Sequence, residues 1–174
     1  MKISATIITL NEEKNIARAL KSVDWVDEII VVDSGSTDDT EKICKEAGAK
    51  FLSIEWPGYV TAKNIALGEA TGEWVISIDA DEEVTPELKK EILKAVKDKD
   101  AAQGYLIPRK NHYLGKWVRR CDWYPDYQLR FWERERGHWE GGRVHESVKV
   151  EGRVIAFEKA INHFSYDSIS SHLK

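Results

Sequence analysis

Strand and helix signals alternate along the first hundred residues, and this alternation narrows the possible folds more than any other feature. Residues 3–10, 28–33, 50–54 and 74–79 are short, near-continuous apolar runs rich in Ile and Val, the pattern of strands buried on both faces. Between the first two, Ile16, Ala17, Leu20 and Val23 keep helical spacing, and Asn11 is placed to cap that helix with Glu12 and Glu13 in its first turn. A second helix runs to about Ala47, where Gly48 can end it, and a third covers residues 61–70. Thr85-Pro86 opens a fourth that continues to about Val96, with the proline in a first-turn position that suits it. Such a series builds βαβ units and a mostly parallel sheet with helices on its faces. Ligands of such sheets bind beyond the carboxyl ends of the strands. Asp33, Asp79 and Asp81 all fall there.

Beyond residue 100 the helical signal fades. Residues 104–108, 127–132, 144–150 and 153–157 read as strands, and residues 168–174 as the start of a helix. Between Arg109 and Arg143 there are nine Lys or Arg against five Asp or Glu, within a chain of net charge −4, and four of the seven tryptophans lie there too. No repeat or low-complexity linker separates the halves. One domain over residues 1–174 is expected, with a strand–helix half over residues 1–100 and a strand-rich half over 101–174. The mild negative charge offers no pull toward nucleic acid. Cys44 and Cys121 have no metal-like spacing, and a reduced, cytoplasmic chain is the simpler expectation. No run reaches the roughly 18 apolar residues of a spanning helix, so any membrane contact is expected to be peripheral.

Two constellations carry chemistry. Ser77-Ile78-Asp79-Ala80-Asp81-Glu82-Glu83 places carboxylates just past a buried strand, where alternating ones can reach a hard cation and, through it, phosphate oxygens. Read blandly it is a solvated acidic turn leading to the next helix, and Glu82 and Glu83 are assigned to that role. In Val31-Val32-Asp33-Ser34-Gly35-Ser36-Thr37-Asp38, a strand-end carboxylate adjoins a small-residue turn. It suits a base N–H or a ribose hydroxyl, and equally a simple turn and cap.

Together these stretches resemble family-2 glycosyltransferases of GT-A fold. The matching residues are Thr9-Leu10-Asn11-Glu12-Glu13, the VVDSGSTDDT stretch, Lys63-Asn64, and Ala70-Thr71-Gly72-Glu73 leading into SIDADEE, in order over roughly the first half. The resemblance implies an α/β, GT-A-type (Rossmann-like), mostly parallel sheet flanked by helices, with a small β-rich C-terminal portion. It implies nucleotide-sugar binding by Thr9, Asn11, Glu12, Asp33, Lys63 and Asp79, and a divalent cation, Mn²⁺ or Mg²⁺, at Asp81 with His145 as a further ligand. Ser34 departs from the second aspartate of many relatives, which loosens any reading of the base. The stretch YPDYQLRFWERERGHWEGGRVHE is similar to the branch that adds sugars, typically glucose or heptose, to the lipopolysaccharide inner core. The resemblance implies that residues 1–100 are the nucleotide-sugar-binding half and 101–174 an acceptor-side half, shortened at its C-terminus, and that the sugar moved is a hexose.

Inverting transfer needs a base for the acceptor hydroxyl and stabilisation of the departing diphosphate. Asp126 is the first candidate for the base and Glu146 its rival, while an ion pair such as Asp126 with Arg130 is the bland alternative. Arg119, Arg120 and Arg130, among aromatic residues, suit an anionic glycan or glycolipid acceptor at the inner face of a membrane. Phe131 and one or two tryptophans of that segment are assigned to the core. Two other classes stay open: a non-catalytic carbohydrate- or surface-binding module, and a DxD-type phosphatase. A Rossmann oxidoreductase lacks its GxGxxG turn.

Overall fold

The computed structural model describes residues 1–118, 124–142 and 146–166. The chain opens with β1 (Ile3–Thr9), α1 (Ile16–Ser22), β2 (Glu28–Asp33), α2 (Thr40–Glu46), β3 (Lys50–Ser53), α3 (Tyr59–Gly68) and β4 (Trp74–Asp79). It continues through β5 (Glu82–Val84), α4 (Pro86–Ala95), β6 (Gly104–Tyr113), β7 (Lys116–Trp117), β8 (Asp126–Glu133), β9 (Gly137–Gly141), β10 (Glu146–Val150), β11 (Val154–Ala156) and β12 (Ile161–Tyr166). Among the described residues, four α-helices and a mixed sheet give the expected α/β class.

The main sheet runs in the order β3-β2-β1-β4-β8-β6-β12-β5, with β7 and β11 attached to β6. Its first four strands are parallel, whereas β8 is antiparallel to both β4 and β6. Alternate residues of the parallel strands feed opposite faces, as the two-residue strand period requires. Val31 and Ile76 join Ile16, Leu20, Leu88 and Ile92 in one core cluster. Ile30, Val32 and Val75 join Ala62, Ala66, Trp132 and Trp139 in the other. Helices α1 and α4 therefore cover one face and α3 the other. Phe131 and Trp132 are fully buried and Trp139 nearly so, in line with their assignment to the core.

Register fixes the site. Thr9 lies opposite Asp33 on β2, and Ile8 opposite Asp79 on β4, so three strand ends converge at one edge. Helix α4 starts as expected: Thr85 caps it, its hydroxyl accepting from the Leu88 N–H at 3.2 Å, with Pro86 as the first helical residue. Among the described residues no helix is long and apolar enough to cross a membrane.

Three expectations need correction. Asn11 does not cap α1, which begins only at Ile16. It takes a left-handed conformation, φ 53°, and its side-chain oxygen accepts from the Thr37 N–H at 2.8 Å, across the strand ends. Glu82 and Glu83 are not a solvated turn: they form β5, and the Glu82 side chain is fully buried. The strands expected at 104–108 and 127–132 are longer, as β6 and β8, because each is paired on both sides. The helix expected over 168–174 lies outside the described residues.

Candidate functional site

The converging strand ends open a cleft of about 660 Å³, lined by Thr9, Glu12, Ser34, Trp56, Asp81 and His163 among others. Its size is that of a small-molecule site. On the β2 side the Asp33 carboxylate is 2% exposed and organises its own loop. It accepts from the Gly35 and Ser36 N–H groups at 2.9 and 2.8 Å, and from the Ser36 hydroxyl. Gly35 sits at φ 94°, a left-handed conformation that glycine adopts without strain and that aims these donors inward. A carboxylate offers roughly four lone-pair directions, so about one is left for a ligand. The Asn11 N–H donates to the Ser36 hydroxyl at 2.7 Å and the Glu12 N–H to Thr40 Oγ1 at 2.9 Å, locking the β1 and β2 loops together. Burial, and the nearby charge of Asp81 and Asp38, push the Glu12 carboxyl up despite the bond from Asn15. Thr9 Oγ1 is buried and meets no hydrogen-bond partner among the described residues. It is a polar atom that a ligand in the cleft could satisfy.

The β4 end carries a chain of alternating charges. Lys63, 3% exposed on α3, stands 3.1 Å from Asp79 Oδ1 and 3.1 Å from Glu146 Oε1, with its ammonium 4.3 Å above the Trp139 ring. Arg130 Nη2 lies 2.6 Å from Asp79 Oδ2 and 3.0 Å from Glu82 Oε1. Arg109 Nη1 approaches the same Glu82 oxygen at 3.6 Å, and its Nη2 pairs with Asp126 at 2.7 Å. Glu146, Lys63, Asp79, Arg130, Glu82, Arg109 and Asp126 thus form one connected path of ion pairs. Burial opposes ionisation of Asp79, but Arg130 and Lys63 outweigh it and hold that carboxyl well below the usual range. Burial of Glu82 outweighs Arg130, and with the charge of Asp79 it pushes the Glu82 carboxyl up. Burial raises Asp126 as well, yet bonds from Gln128 and Arg109 and the guanidinium charge hold it below its ordinary value.

Asp126 does not pair with Arg130, the partner suggested by their spacing. Four residues along a strand span about 13 Å, so the two side chains cannot meet. Arg109, opposite Asp126 in the β6–β8 register, takes that place.

The remaining cleft carboxylate is Asp81, one quarter exposed, with Oδ2 3.2 Å from His163 Nε2. Strand β12 brings the histidine there: His163 lies opposite Glu82 on β5 and opposite Asn111 on β6. The Phe164 N–H donates to the Asp81 carbonyl at 3.0 Å, and His163 Nδ1 bonds Asn111 Oδ1 at 2.7 Å. Among the described residues no group of three His, Cys, Asp or Glu gathers for a metal. Asp81 and His163 could supply one oxygen and one nitrogen ligand to a divalent cation, with a diphosphate and water left to complete its shell. His145, Arg119 and Arg120 lie outside the described residues. Sequence spacing did not single out His163, Glu82, Arg109 or the exposed pair Trp56 and Tyr59, whose rings meet edge-on at 4.8 Å. Cys44 is buried, and desolvation, with the nearby charge of Asp33, pushes its thiol up to about 12, so it takes no part in the cleft's chemistry.

The model for glycosyl transferase family 2 matches residues 4–160. The chain belongs to glycosyl transferase family 2. An uncharacterized glycosyltransferase of Rickettsia typhi is 53% identical over 173 residues, which cover 97% of this chain and 52% of that protein. The family-2 chain is also 31% identical over 160 residues to the lipopolysaccharide core biosynthesis glycosyltransferase LpsC of Rhizobium meliloti, covering 88% of this chain and 59% of that one. It thus spans little more than half of either relative. Among solved structures, TarS of S. aureus superposes with a TM-score of 0.69 at 20% identity over 95% of this chain and 61% of that one, a likeness of fold. Glucosyl-3-phosphoglycerate synthase from Mycobacterium tuberculosis, in complex with Mn²⁺, UDP and glucosyl-3-phosphoglycerate, gives 0.57 at 26% identity over 77% of this chain and 57% of that one. The α/β class and GT-A-type architecture of this family-2 chain agree with these neighbours.

Proposed function

We propose that the chain is an inverting, metal-dependent hexosyltransferase that moves a sugar from a nucleotide-diphosphate sugar to a glycan or glycolipid acceptor. The observation that carries this reading is the Asp81–His163 pair, set in a cleft between the Asp33 loop and the end of β4. The cleft has a nucleoside side and a cation side, in the order a nucleotide diphosphate needs. In this reading Thr9, Asn11, Glu12 and Asp33 bind the nucleoside, and Asp79, locked by Lys63 and Arg130, presents its remaining exposed edge to the ribose side. A divalent cation held by Asp81 and His163 would neutralise the diphosphate and so ease its departure. Asp126 takes the proton of the acceptor hydroxyl as that oxygen bonds to the anomeric carbon and the bond to the diphosphate breaks. Glu146 is the alternative base.

Residues 1–100 and 101–174 form one functional unit in this reading, because the path of ion pairs crosses between them. The basic, aromatic segment, including Arg119 and Arg120, favours an anionic glycolipid, with peripheral contact at the cytoplasmic face of a membrane. The name of LpsC supports a lipopolysaccharide core acceptor.

Thermal unfolding with UDP, UDP-glucose, UDP-galactose and UDP-GlcNAc, each with and without Mn²⁺, tests the reading. A ligand at about 100 times its Kd adds about 2.7 kcal/mol, a Tm rise of roughly 5–11 °C for a chain of this size. The rise is expected to require Mn²⁺ and to vanish in Asp81→Asn and His163→Ala. A metal-independent rise of the same size in both variants would remove the cation site, and the lack of any donor turnover by the wild type would favour a binding module.

A further inference from the structure

The path of ion pairs has a hub. Glu82 is fully buried and lies one residue beyond Asp81, on the short strand β5. Its Oε2 accepts from the Asp79 N–H at 2.9 Å, which fixes the carboxylate against the end of β4. Its Oε1 receives two guanidinium groups, Arg130 at 3.0 Å and Arg109 at 3.6 Å. Each arginine spends its other ion-pair contacts on a different carboxylate. Arg130 reaches Asp79 at 2.6 Å on the donor side, and Arg109 reaches Asp126 through Nε and Nη2 at 2.8 and 2.7 Å. One oxygen atom therefore joins the two cations that orient Asp79 and Asp126.

Stability does not account for this arrangement. Desolvating a carboxylate and two guanidinium groups is costly, and well-packed apolar groups of similar volume commonly do as well or better. What the buried carboxylate supplies is direction. An anion between two buried cations lets them converge: Arg130 meets Glu82 and Asp79 through the one nitrogen Nη2, and Arg109 faces Glu82 with Nη1 while Nε and Nη2 hold Asp126.

We propose that Glu82 is a positioning residue: it holds Arg130 on Asp79 and Arg109 on Asp126, and so fixes the donor-side carboxylate and the base relative to each other. This rests on the reading of Asp126 as the base. Glu82 touches neither substrate; Lys63 at 3.1 Å keeps Asp79 in place without it, so its influence on turnover passes through Arg109.

The test is a double-mutant cycle on the full chain. UDP release is measured with Mn²⁺ and whichever of UDP-glucose, UDP-galactose and UDP-GlcNAc the wild type turns over fastest, alongside UDP binding. Glu82→Gln keeps the size and the acceptor for the Asp79 N–H, and Arg109→Gln removes the link to Asp126. Each single variant is expected to lower kcat by about 10- to 100-fold while the Kd for UDP changes by less than about threefold. The double variant is expected to fall within about threefold of the worse single, since both act through one contact. Wild-type kcat in either folded single variant overturns the proposal. So do losses that multiply in the double variant, or a Kd for UDP that weakens in step with kcat, as a merely structural role would give. Should Glu82→Gln fail to fold, Glu82→Asp, which keeps the charge but draws it back from Arg109, takes its place in the cycle under the same criteria. A wild type that neither binds UDP with Mn²⁺ nor turns over a donor overturns the functional reading itself, and the role of Glu82 with it.

Discussion

Replacing Arg130 with Met isolates the cost of breaking the buried network. Arg130 is 4% exposed, and its Nη2 serves both Asp79 and Glu82. Without it Asp79 keeps Lys63 at 3.1 Å, whereas Glu82, fully buried, keeps the Asp79 N–H at 2.9 Å and, of its two guanidinium partners, only Arg109 at 3.6 Å. Removing one partner of a buried pair costs about 3–5 kcal/mol, because the other charge stays desolvated and uncompensated. For a chain of this length that is a Tm loss of roughly 6–20 °C. Urea unfolding followed by tryptophan fluorescence at pH 7 measures the cost directly. Adding Glu82→Gln to Arg130→Met removes the stranded charge, so the double variant is expected to be more stable than Arg130→Met alone.

Acidity supplies a second readout, and its sign follows from the shifts. Burial already raises the Glu82 carboxyl above its ordinary value of 4.5, and losing Arg130 raises it further. In the variant a raised folded value means stability that is greatest below about 4.5 and falls as the pH rises through that folded value. In the wild type the lowered Asp79 carboxyl contributes stability above its ordinary value of 3.8 and loses it as the pH falls. Both effects narrow the gap between the two proteins on acidification. A loss under about 1 kcal/mol, a double variant no more stable than the single, or a gap that widens toward acid would each refute the reasoning.

Removal of the base is expected to lower turnover far more than donor binding, so Asp126→Asn should cut kcat by about 10² to 10⁴ at nearly constant Kd for UDP, and Glu146→Gln by less. The reverse order moves the base to Glu146. At the opposite end of the sheet Glu28 accepts from Ser4, from the Thr71 N–H at 2.6 Å and from the Gly72 N–H at 3.1 Å. Burial works against its ionisation, yet these bonds and Lys2 bring its carboxyl from 4.5 down to about 2. Its stabilisation is therefore full above about pH 4.5 and lost as the pH falls toward 2. Glu28→Gln should cost about 1.5–3 kcal/mol at pH 7, and equilibrium unfolding should show the difference closing across that window. A cost that stayed constant through it would mean that the carboxylate's charge is not what those donors stabilise.

How much of this was legible without coordinates depends on how far apart the contacting residues lie in the chain. Strands β1, β2 and β4 and the cap of α4 are written in local patterns: continuous apolar runs, and a threonine followed by proline. Parallel register then brings Thr9, Asp33 and Asp79 together with no further information, and this explains why their convergence could be anticipated. His163 could not, since it reaches Asp81 only through the pairing of β12 with β5 and β6, and nothing in its neighbours advertises that. Glu82 was misread for a different reason. In a run of four acidic residues among five, solvation is the economical assumption, and only the two arginines, 27 and 48 positions later, reverse it. The misassigned partner of Asp126 makes the same point at short range. A spacing of four favours an ion pair on a helix and forbids one along a strand. Once β8 is a strand, Arg130 must turn to β4 and β5, and Asp126 must look across the ladder to Arg109. Antiparallel pairing of β8 thus gives Asp126 its partner Arg109, and places the candidate base one guanidinium away from the hub that, through Arg130, reaches Asp79.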